Sequence, residues 1–191
     1  MAKEERHGGH MPHKPLILHT QPLASTALFQ VEAVDLRFAN GTEVRYERLI
    51  GSAQGAVLIV PLLDNDTVLL IREYAIGTER YELALPKGRI EAGEALLDAA
   101  NRELMEEVGH GAHQLHHLCT LSLAPGYSSH QTHVVVARAL YPQRLAGDEP
   151  EPLEVVPWPL SRLSSLLARD DCTEARSIAA LFMTREYLAH G

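Results

Sequence analysis

The stretch from Gly88 to Gly109, GRIEAGEALLDAANRELMEEVG, constrains the fold of this chain more than any other segment. Apolar residues recur in it at helical spacing, so they predict a helix with one buried face. These residues are Leu97, Ala100, Leu104 and Val108. Gly93 precedes the helical pattern and Gly109 follows it, and both mark its ends because glycine readily adopts the backbone conformations found there.

Three glutamates crowd on the wetter side of the same predicted helix. Glu103, Glu106 and Glu107 are three and four residues apart, so their carboxylates lie close together. Like charges at this spacing destabilise a helix by roughly 0.2–0.5 kcal/mol per pair. A hard divalent cation such as Mg²⁺ prefers oxygen ligands and would cancel that repulsion. The alternative is a solvated acidic face, which is the usual explanation for a glutamate-rich helix.

The order of the residues favours a cation site over a solvated face. The stretch fits G-x5-E-x7-R-E-U-x-E-E-x-G, where U is a bulky aliphatic residue. With each fixed residue at roughly one in fifteen, a chance match is on the order of one in 10⁸ per starting point. This pattern resembles the signature of the Nudix hydrolases, which cleave nucleoside diphosphates linked to another moiety. His110 stands where that family favours an aliphatic residue, which affects local packing rather than the metal ligands.

The resemblance implies roles for the residues of this motif. Glu103 and Glu107 match the positions of direct ligands of Mg²⁺, with Mn²⁺ as an alternative. Glu106 is expected either to share the metal or to bind it through water, and the backbone carbonyl of Lys87 is expected to join the ligands. Gly88 would let the turn approach the metal closely, although glycine also suits a simple tight turn.

A general base must come from outside the helix if the glutamates of the helix hold the metal. In related ADP-ribose hydrolases the base lies on a later acidic loop, which matches Glu149 and Glu151 in the run GDEPEP. Both residues are equally explained as solvated charges. His130 is the rival base, because the ordinary pKa of histidine is close to neutral.

Arginines and aromatic residues supply candidates for orientation and substrate binding. Arg102 is expected to orient Glu94 and the carboxylate cluster; the alternative is an ordinary pair with Asp98 or Glu106. Four more arginines suit bidentate contacts to phosphate, or surface ion pairs: Arg45, Arg48, Arg72 and Arg80. The other candidates for substrate contact are Phe29, Tyr127, Ser129 and His130. Phe29 and Tyr127 could stack on adenine, although burial in the core is the default expectation for Phe29.

Composition and charge limit the partners. The net charge of -8 at pH 7 predicts no nucleic-acid partner, because binding to a phosphate backbone requires clustered Lys and Arg. The longest apolar run, Ala56 to Leu63, is too short to span a bilayer, and the N-terminus lacks the apolar segment of a signal peptide. The two cysteines do not suggest a disulfide framework. The sequence therefore predicts a cytoplasmic protein with no membrane partner.

The sequence predicts three parts. Residues 1–15 are polar and punctuated by glycine and proline, so they predict a mobile arm. Residues 16–50 contain two runs that alternate as strands around Asn40-Gly41, a pair whose positive φ angles predict a tight hairpin turn. A two-stranded hairpin is marginal alone, so this region must pack on its own domain or on a second subunit. Residues 51–191 contain the motif and are predicted to form the hydrolase domain.

Strands and helices are interspersed in the third part. Strands are predicted at 56–63, 68–74, 81–85, 115–123, 133–140 and 153–158, with a turn at Pro86-Lys87-Gly88. Further helices are predicted at 160–168 and 173–188. The sum is an α/β fold: an α/β/α sandwich of the Nudix type with a mixed sheet, the motif helix at the active site and an N-terminal β-hairpin.

The similarity extends beyond the motif, over roughly Leu23 to Leu188. The segments YELALPKG, LAPGYSS and LYPQRLAGDEPEPLEVVPWPL resemble the ADP compounds hydrolase (NudE-type) branch of the Nudix family. That resemblance implies Mg²⁺-dependent hydrolysis of ADP-ribose, diadenosine triphosphate and NADH with release of AMP, and a homodimer. Two alternatives are a nucleotide-sensing module without activity and a pyrophosphohydrolase of RNA 5′ ends. The complete set of glutamates disfavours the first, and the acidic charge disfavours the second.

Overall fold

The computed structural model describes residues 13–190, so most of the predicted N-terminal arm lies outside the described residues. Two compact units are present. The first comprises the chain up to Ile50 together with Gly126–Ser129, and the second comprises Gly51–Pro125 and the chain from His130 onward. Among the described helices, none is long and apolar enough to cross a membrane.

The first unit contains an antiparallel sheet of three strands in sequence order: β1 (Leu16–Ser25), β2 (Gln30–Arg37) and β3 (Glu43–Ile50). The predicted hairpin is β2–β3, but the turn is a five-residue loop closed by the Arg37–Glu43 pair. Gly41 has a positive φ and Asn40 does not, so the prediction of a positive φ at both residues is wrong for Asn40. Strand β1 was not predicted, because two register shifts interrupt its alternation.

The second unit contains two sheets, one of which is the mixed sheet that the sequence predicts. Its strands are β4 (Ala56–Pro61), β5 (Thr67–Ala75), β6 (Arg80–Ala84), β7 (Lys87–Arg89), β8 (His110–Ser122), β9 (Gln131–Pro142) and β10 (Glu154–Pro159). The four-stranded mixed sheet has the order β7-β4-β9-β8, in which β4 and β9 are parallel. The antiparallel sheet has the order β10-β5-β6. The turn predicted at Pro86-Lys87-Gly88 is wrong for Lys87 and Gly88, because both belong to a short strand, β7, which pairs with β4. We refer to residues 86–88, where the chain enters β7, as the turn.

The helices lie close to their predicted positions. Helix α1 spans Leu96–Glu103 and continues as a π-helical turn, Leu104–Val108. A 3-10 turn, Leu160–Arg162, precedes α2 (Leu163–Leu167), and α3 spans Ala175–His190. The π-helical turn was not predicted, because the apolar pattern of a short segment does not distinguish one wider turn from an α-helix.

Strand β4 separates two apolar clusters, and this explains its uninterrupted apolar sequence. Leu58 and Val60 belong to the cluster that includes residues of α2 and α3. Val57 and Ile59 belong to the cluster that includes Ala99, Ala100, Leu104 and Val108 of the motif helix. Leu97 is 38% exposed, so its predicted place in the buried stripe is wrong. The stripe begins at Leu96, which precedes Ala100 and Leu104 at four-residue steps.

Candidate active site

The motif places two glutamates against one turn of the chain. Glu107 is only 4% exposed, and its Oε2 accepts a hydrogen bond of 2.9 Å from the Lys87 amide. The Glu103 carboxylate lies against Gly88, where a Cβ atom would stand 1.9 Å from the Glu103 Cδ. Gly88 therefore provides the close approach that the sequence predicts for it, because any larger residue would occupy the space of the carboxylate. The last turn of the helix ends at Gly109, with φ of 77°.

Arg102 ties the acidic residues of the motif together. Its guanidinium donates to both carboxylate oxygens of Glu94, at 2.9 and 3.0 Å. It also donates to Glu103 at 2.8 Å and to Glu106 at 3.0 Å, and to the Arg89 carbonyl at 2.9 Å. Arg102 thus forms the helical pair with Glu106 that was the alternative interpretation, and it also contacts Glu94 and Glu103. This arrangement contains the contacts that an orienting role needs.

Burial makes the negative charge of two motif residues costly. It raises the pKa of Glu107 to about 8, against the lowering effects of the Lys87 charge and amide. Burial also raises the pKa of Glu103, although the hydrogen bond and charge of Arg102 oppose the shift. The hydrogen bond from Arg102 lowers the pKa of Glu94. Glu103 and Glu107 are therefore the carboxylates that gain most from a nearby cation.

The donor set fits a hard divalent cation. It consists of carboxylate oxygens on one helix face beside a turn whose glycine leaves room for close approach. Within residues 13–190, no three His, Cys, Asp or Glu side chains stand in the arrangement of a ready-made metal site. Arg102 and the Lys87 amide instead occupy oxygens of Glu103, Glu106 and Glu107. A cation binding there would take over these contacts.

The two glutamates of the acidic loop have different neighbours. Burial raises the pKa of Glu149, and the charges of Glu73 and Asp148 raise it further, while Lys87 opposes them. Glu149 therefore shares neighbours with Glu107, whose pKa also responds to Glu73 and Lys87. Glu151 instead accepts a hydrogen bond of 2.6 Å from the Tyr81 hydroxyl. Glu149, rather than Glu151, therefore responds to charges beside the motif.

Two acidic residues were missing from the predicted site. Glu73 accepts a hydrogen bond of 2.5 Å from the Lys87 ammonium, and its charge raises the pKa of Glu107 and Glu149. Asp148 contributes to the raised pKa of Glu103. The run of acidic residues around Asp148 was a signal for that residue, whereas Glu73 lies in a strand sequence that gave none.

His130 has a separate set of neighbours. Its Nε2 lies 3.4 Å from the Thr132 hydroxyl, to which Arg176 donates at 3.2 Å. Burial lowers the pKa of His130, and the charge of Arg176 lowers it further. His130 is thus favoured in its neutral form, next to residues of β9 and α3.

Each arginine proposed for phosphate binding takes part in an ion pair. Arg45 contacts Asp35, Arg48 contacts Glu32, Arg80 contacts Glu82, and Arg72 contacts both Glu154 and Asp171. All four arginines therefore form the ion pairs that were the alternative to phosphate binding. Phe29 is 52% exposed, so the default expectation of burial was wrong, and Tyr127 is 60% exposed. The backbone of Tyr127 and Ser129 bonds to Leu49 at the end of β3.

Comparison with known proteins identifies the class to which this fold and motif belong. Residues 53–181 match the model of the NUDIX domain. The chain belongs to the Nudix family and is a Nudix hydrolase. Residues 15–48 match the NudE-type Nudix hydrolase N-terminal domain, so the predicted NudE-type resemblance is confirmed.

Individual relatives agree over almost the whole chain. The ADP compounds hydrolase NudE of Escherichia coli is 53% identical over 92% of this chain and 94% of its own. A crystal structure of an ADP compounds hydrolase matches 94% of this chain and 97% of its own, with a TM-score of 0.88 and 51% identity. The ADP-ribose pyrophosphatase of Bacillus subtilis is 26% identical over 86% of this chain and 91% of its own. These matches confirm the predicted Nudix fold.

Proposed function

We propose that this Nudix hydrolase is a metal-dependent pyrophosphohydrolase of ADP-linked metabolites. It cleaves the diphosphate bridge of ADP-ribose, diadenosine triphosphate or NADH and releases AMP. The observation that carries the proposal is the placement of the half-buried Glu103 and the buried Glu107 against the Lys87-Gly88 turn, beside Arg102. The names of the similar proteins support an adenosine diphosphate moiety in the substrate. The proposal includes the cytoplasmic location expected from the sequence.

Mg²⁺ is the proposed metal, with Mn²⁺ as an alternative. Glu103 and Glu107 would hold it directly, Glu106 would share it or bind it through water, and the Lys87 carbonyl would complete the protein ligands. When bound, the metal supplies positive charge to phosphate oxygens and lowers the pKa of water. Arg102 would keep Glu94 and Glu106 in place beside the metal.

Glu149 is the proposed general base. Its carboxylate takes a proton from the water that attacks phosphorus, and a pKa raised toward neutrality improves a carboxylate as a base. Glu151 is expected to hold the loop through Tyr81 instead. Glu149 is preferred to His130, because Glu149 responds to the charges of Glu73 and Lys87 that also act on Glu107.

Substrate recognition and assembly complete the proposal. The exposed rings of Phe29 and Tyr127 offer surfaces for stacking on adenine. A homodimer is proposed because all residues of β1 are exposed, including Leu16, Ile17 and Leu23. An exposed apolar strand at the edge of a sheet is a surface that proteins normally cover.

The test is a product profile with Mg²⁺ over ADP-ribose, diadenosine triphosphate, NADH, an ADP-sugar and RNA bearing a 5′-triphosphate. The proposal predicts AMP from the ADP-linked compounds, loss of product with a chelator, and recovery when Mg²⁺ is added back. Tight binding of these compounds without AMP would indicate a sensing module. Faster release of pyrophosphate from RNA would indicate the 5′-end activity.

A further inference from the structure

A buried serine on α3 reaches the segment that leads into the metal-binding turn. Ser177 is 1% exposed, and its hydroxyl accepts a hydrogen bond of 3.0 Å from the Leu85 amide. The same hydroxyl donates to Glu174 at 2.8 Å, and the Ser177 amide also donates to Glu174, at 2.7 Å. Although burial opposes the shift, hydrogen bonds from Arg176 and Ser177 lower the pKa of Glu174. Glu174 is therefore a charged acceptor that fixes the direction of the Ser177 hydroxyl.

The Leu85 amide needs this partner because of its place in the fold. Strand β6 pairs with β5 as far as Ala84, and β7 begins to pair with β4 at Lys87. Leu85 lies between these two pairings and is fully buried. An unpaired amide in such a place is costly, because it has lost its hydrogen bonds to water without gaining another. The Ser177 hydroxyl fills the position that a neighbouring strand would otherwise take.

Leu85 is close in the chain to the proposed metal ligands. The next residue, Pro86, accepts a hydrogen bond of 2.8 Å from the Ile59 amide of β4. Lys87 follows and donates its amide to Glu107, and Gly88 lies against Glu103. A shift of the Leu85 backbone would therefore move the turn that both glutamates contact.

We propose that Ser177, held by Glu174, is a positioning residue for the metal-binding turn. It fixes the Leu85 amide, and this sets where the Lys87 carbonyl and Gly88 stand relative to Glu103 and Glu107. The inference rests on the proposed metal site. A role confined to the first turn of α3 would instead stabilise the helix without affecting the metal, because Glu174 also accepts the Ser177 amide.

The two roles are separated by Ser177→Ala and a matched control on the same helix. Thr184 is fully buried, and within the described part of the chain its hydroxyl has no hydrogen-bond partner, so Thr184→Val also removes a buried hydroxyl from α3. Mn²⁺ affinity is measured without substrate by electron paramagnetic resonance, alongside kcat and Tm. Ser177→Ala should weaken Mn²⁺ binding by about 10- to 100-fold and lower kcat, as supporting residues of metal sites do. Thr184→Val should leave Mn²⁺ affinity and kcat unchanged.

The Mn²⁺ affinities of Ser177→Ala, Glu174→Gln and Glu107→Gln decide the inference. Unchanged Mn²⁺ affinity in Ser177→Ala, with a loss confined to Tm, would overturn it. If Ser177→Ala does not fold, Glu174→Gln replaces it, and unchanged Mn²⁺ affinity in that variant would equally overturn the inference. Glu107→Gln tests the metal site itself: if Glu107→Gln loses Mn²⁺ while Ser177→Ala keeps it, only the role of Ser177 fails. If Glu107→Gln also keeps Mn²⁺, the proposed metal site fails.

Discussion

Replacing Gly88 by alanine tests the geometry of the carboxylate turn with a single methyl group. The new Cβ would stand 1.9 Å from the Glu103 Cδ and 2.1 Å from its Oε1. Ordinary contact begins at 3.4 Å, so the carboxylate must retreat by about 1.5 Å. Misplacement of a catalytic group by about 1 Å can cost on the order of 10²-fold in rate. Gly88→Ala should therefore lower kcat about 100-fold and raise the Mg²⁺ concentration needed for half-maximal activity.

The assay is release of AMP from ADP-ribose across a Mg²⁺ titration. Gly77→Ala is the matched control, because a Cβ at Gly77 meets nothing within 4 Å. Circular dichroism and the Tm establish that both variants fold. Wild-type kcat and Mg²⁺ dependence in Gly88→Ala would refute the argument that Glu103 must stand against this turn to act.

Three further predictions follow from other contacts. Glu149→Gln should lower kcat by about 10²- to 10⁴-fold with unchanged Mn²⁺ affinity. Glu151→Gln should lower kcat less, and by the same factor as Tyr81→Phe, because both variants remove the same hydrogen bond. Equal kcat in Glu149→Gln and wild type would contradict the assignment of the base. Sedimentation at low micromolar concentration should show a dimer, and a fully active monomer would exclude that role for β1. Arg169 and Arg72 hold the pKa of Asp171 below 3.8, so its contribution to unfolding free energy is present above that pH and is lost as pH falls. In urea unfolding below about pH 4, the free energy of unfolding of Asp171→Asn should therefore fall less steeply with pH than that of wild type. The same pH dependence in both proteins would contradict the ion-pair account.

Local sequence patterns were sufficient to predict those elements whose signal lies within one continuous segment. The glutamates and glycines of the motif helix lie in one continuous run, so their spacing predicted both the helix and the face that Glu103 and Glu107 share. The apolar run at β4 predicted a central strand because both of its faces are buried. Strand β1 was missed because register shifts and Pro22 obscure its alternation.

Contacts between distant segments could not be predicted from single runs. Glu73 reaches Lys87 because β6 pairs with β5 and then leads into β7, whereas its own strand carries no acidic pattern. Ser177 has a partner because the chain passes from one sheet to the other at Leu85. Residue type alone suggests phosphate binding for four arginines, but it does not reveal that each has an acidic neighbour.

The most direct test of the proposed metal site is the rate of AMP release from ADP-ribose by Glu107→Gln as Mg²⁺ is raised to saturation. The substitution keeps the size of the side chain and an oxygen that can accept from the Lys87 amide, but it removes the charge. Glu91→Gln, at an exposed glutamate just before the helix, is the control. Because charge near the phosphates contributes several kcal/mol, turnover should fall at least about 100-fold in Glu107→Gln at saturating Mg²⁺. Turnover close to that of wild type and of Glu91→Gln would contradict the role assigned to Glu107.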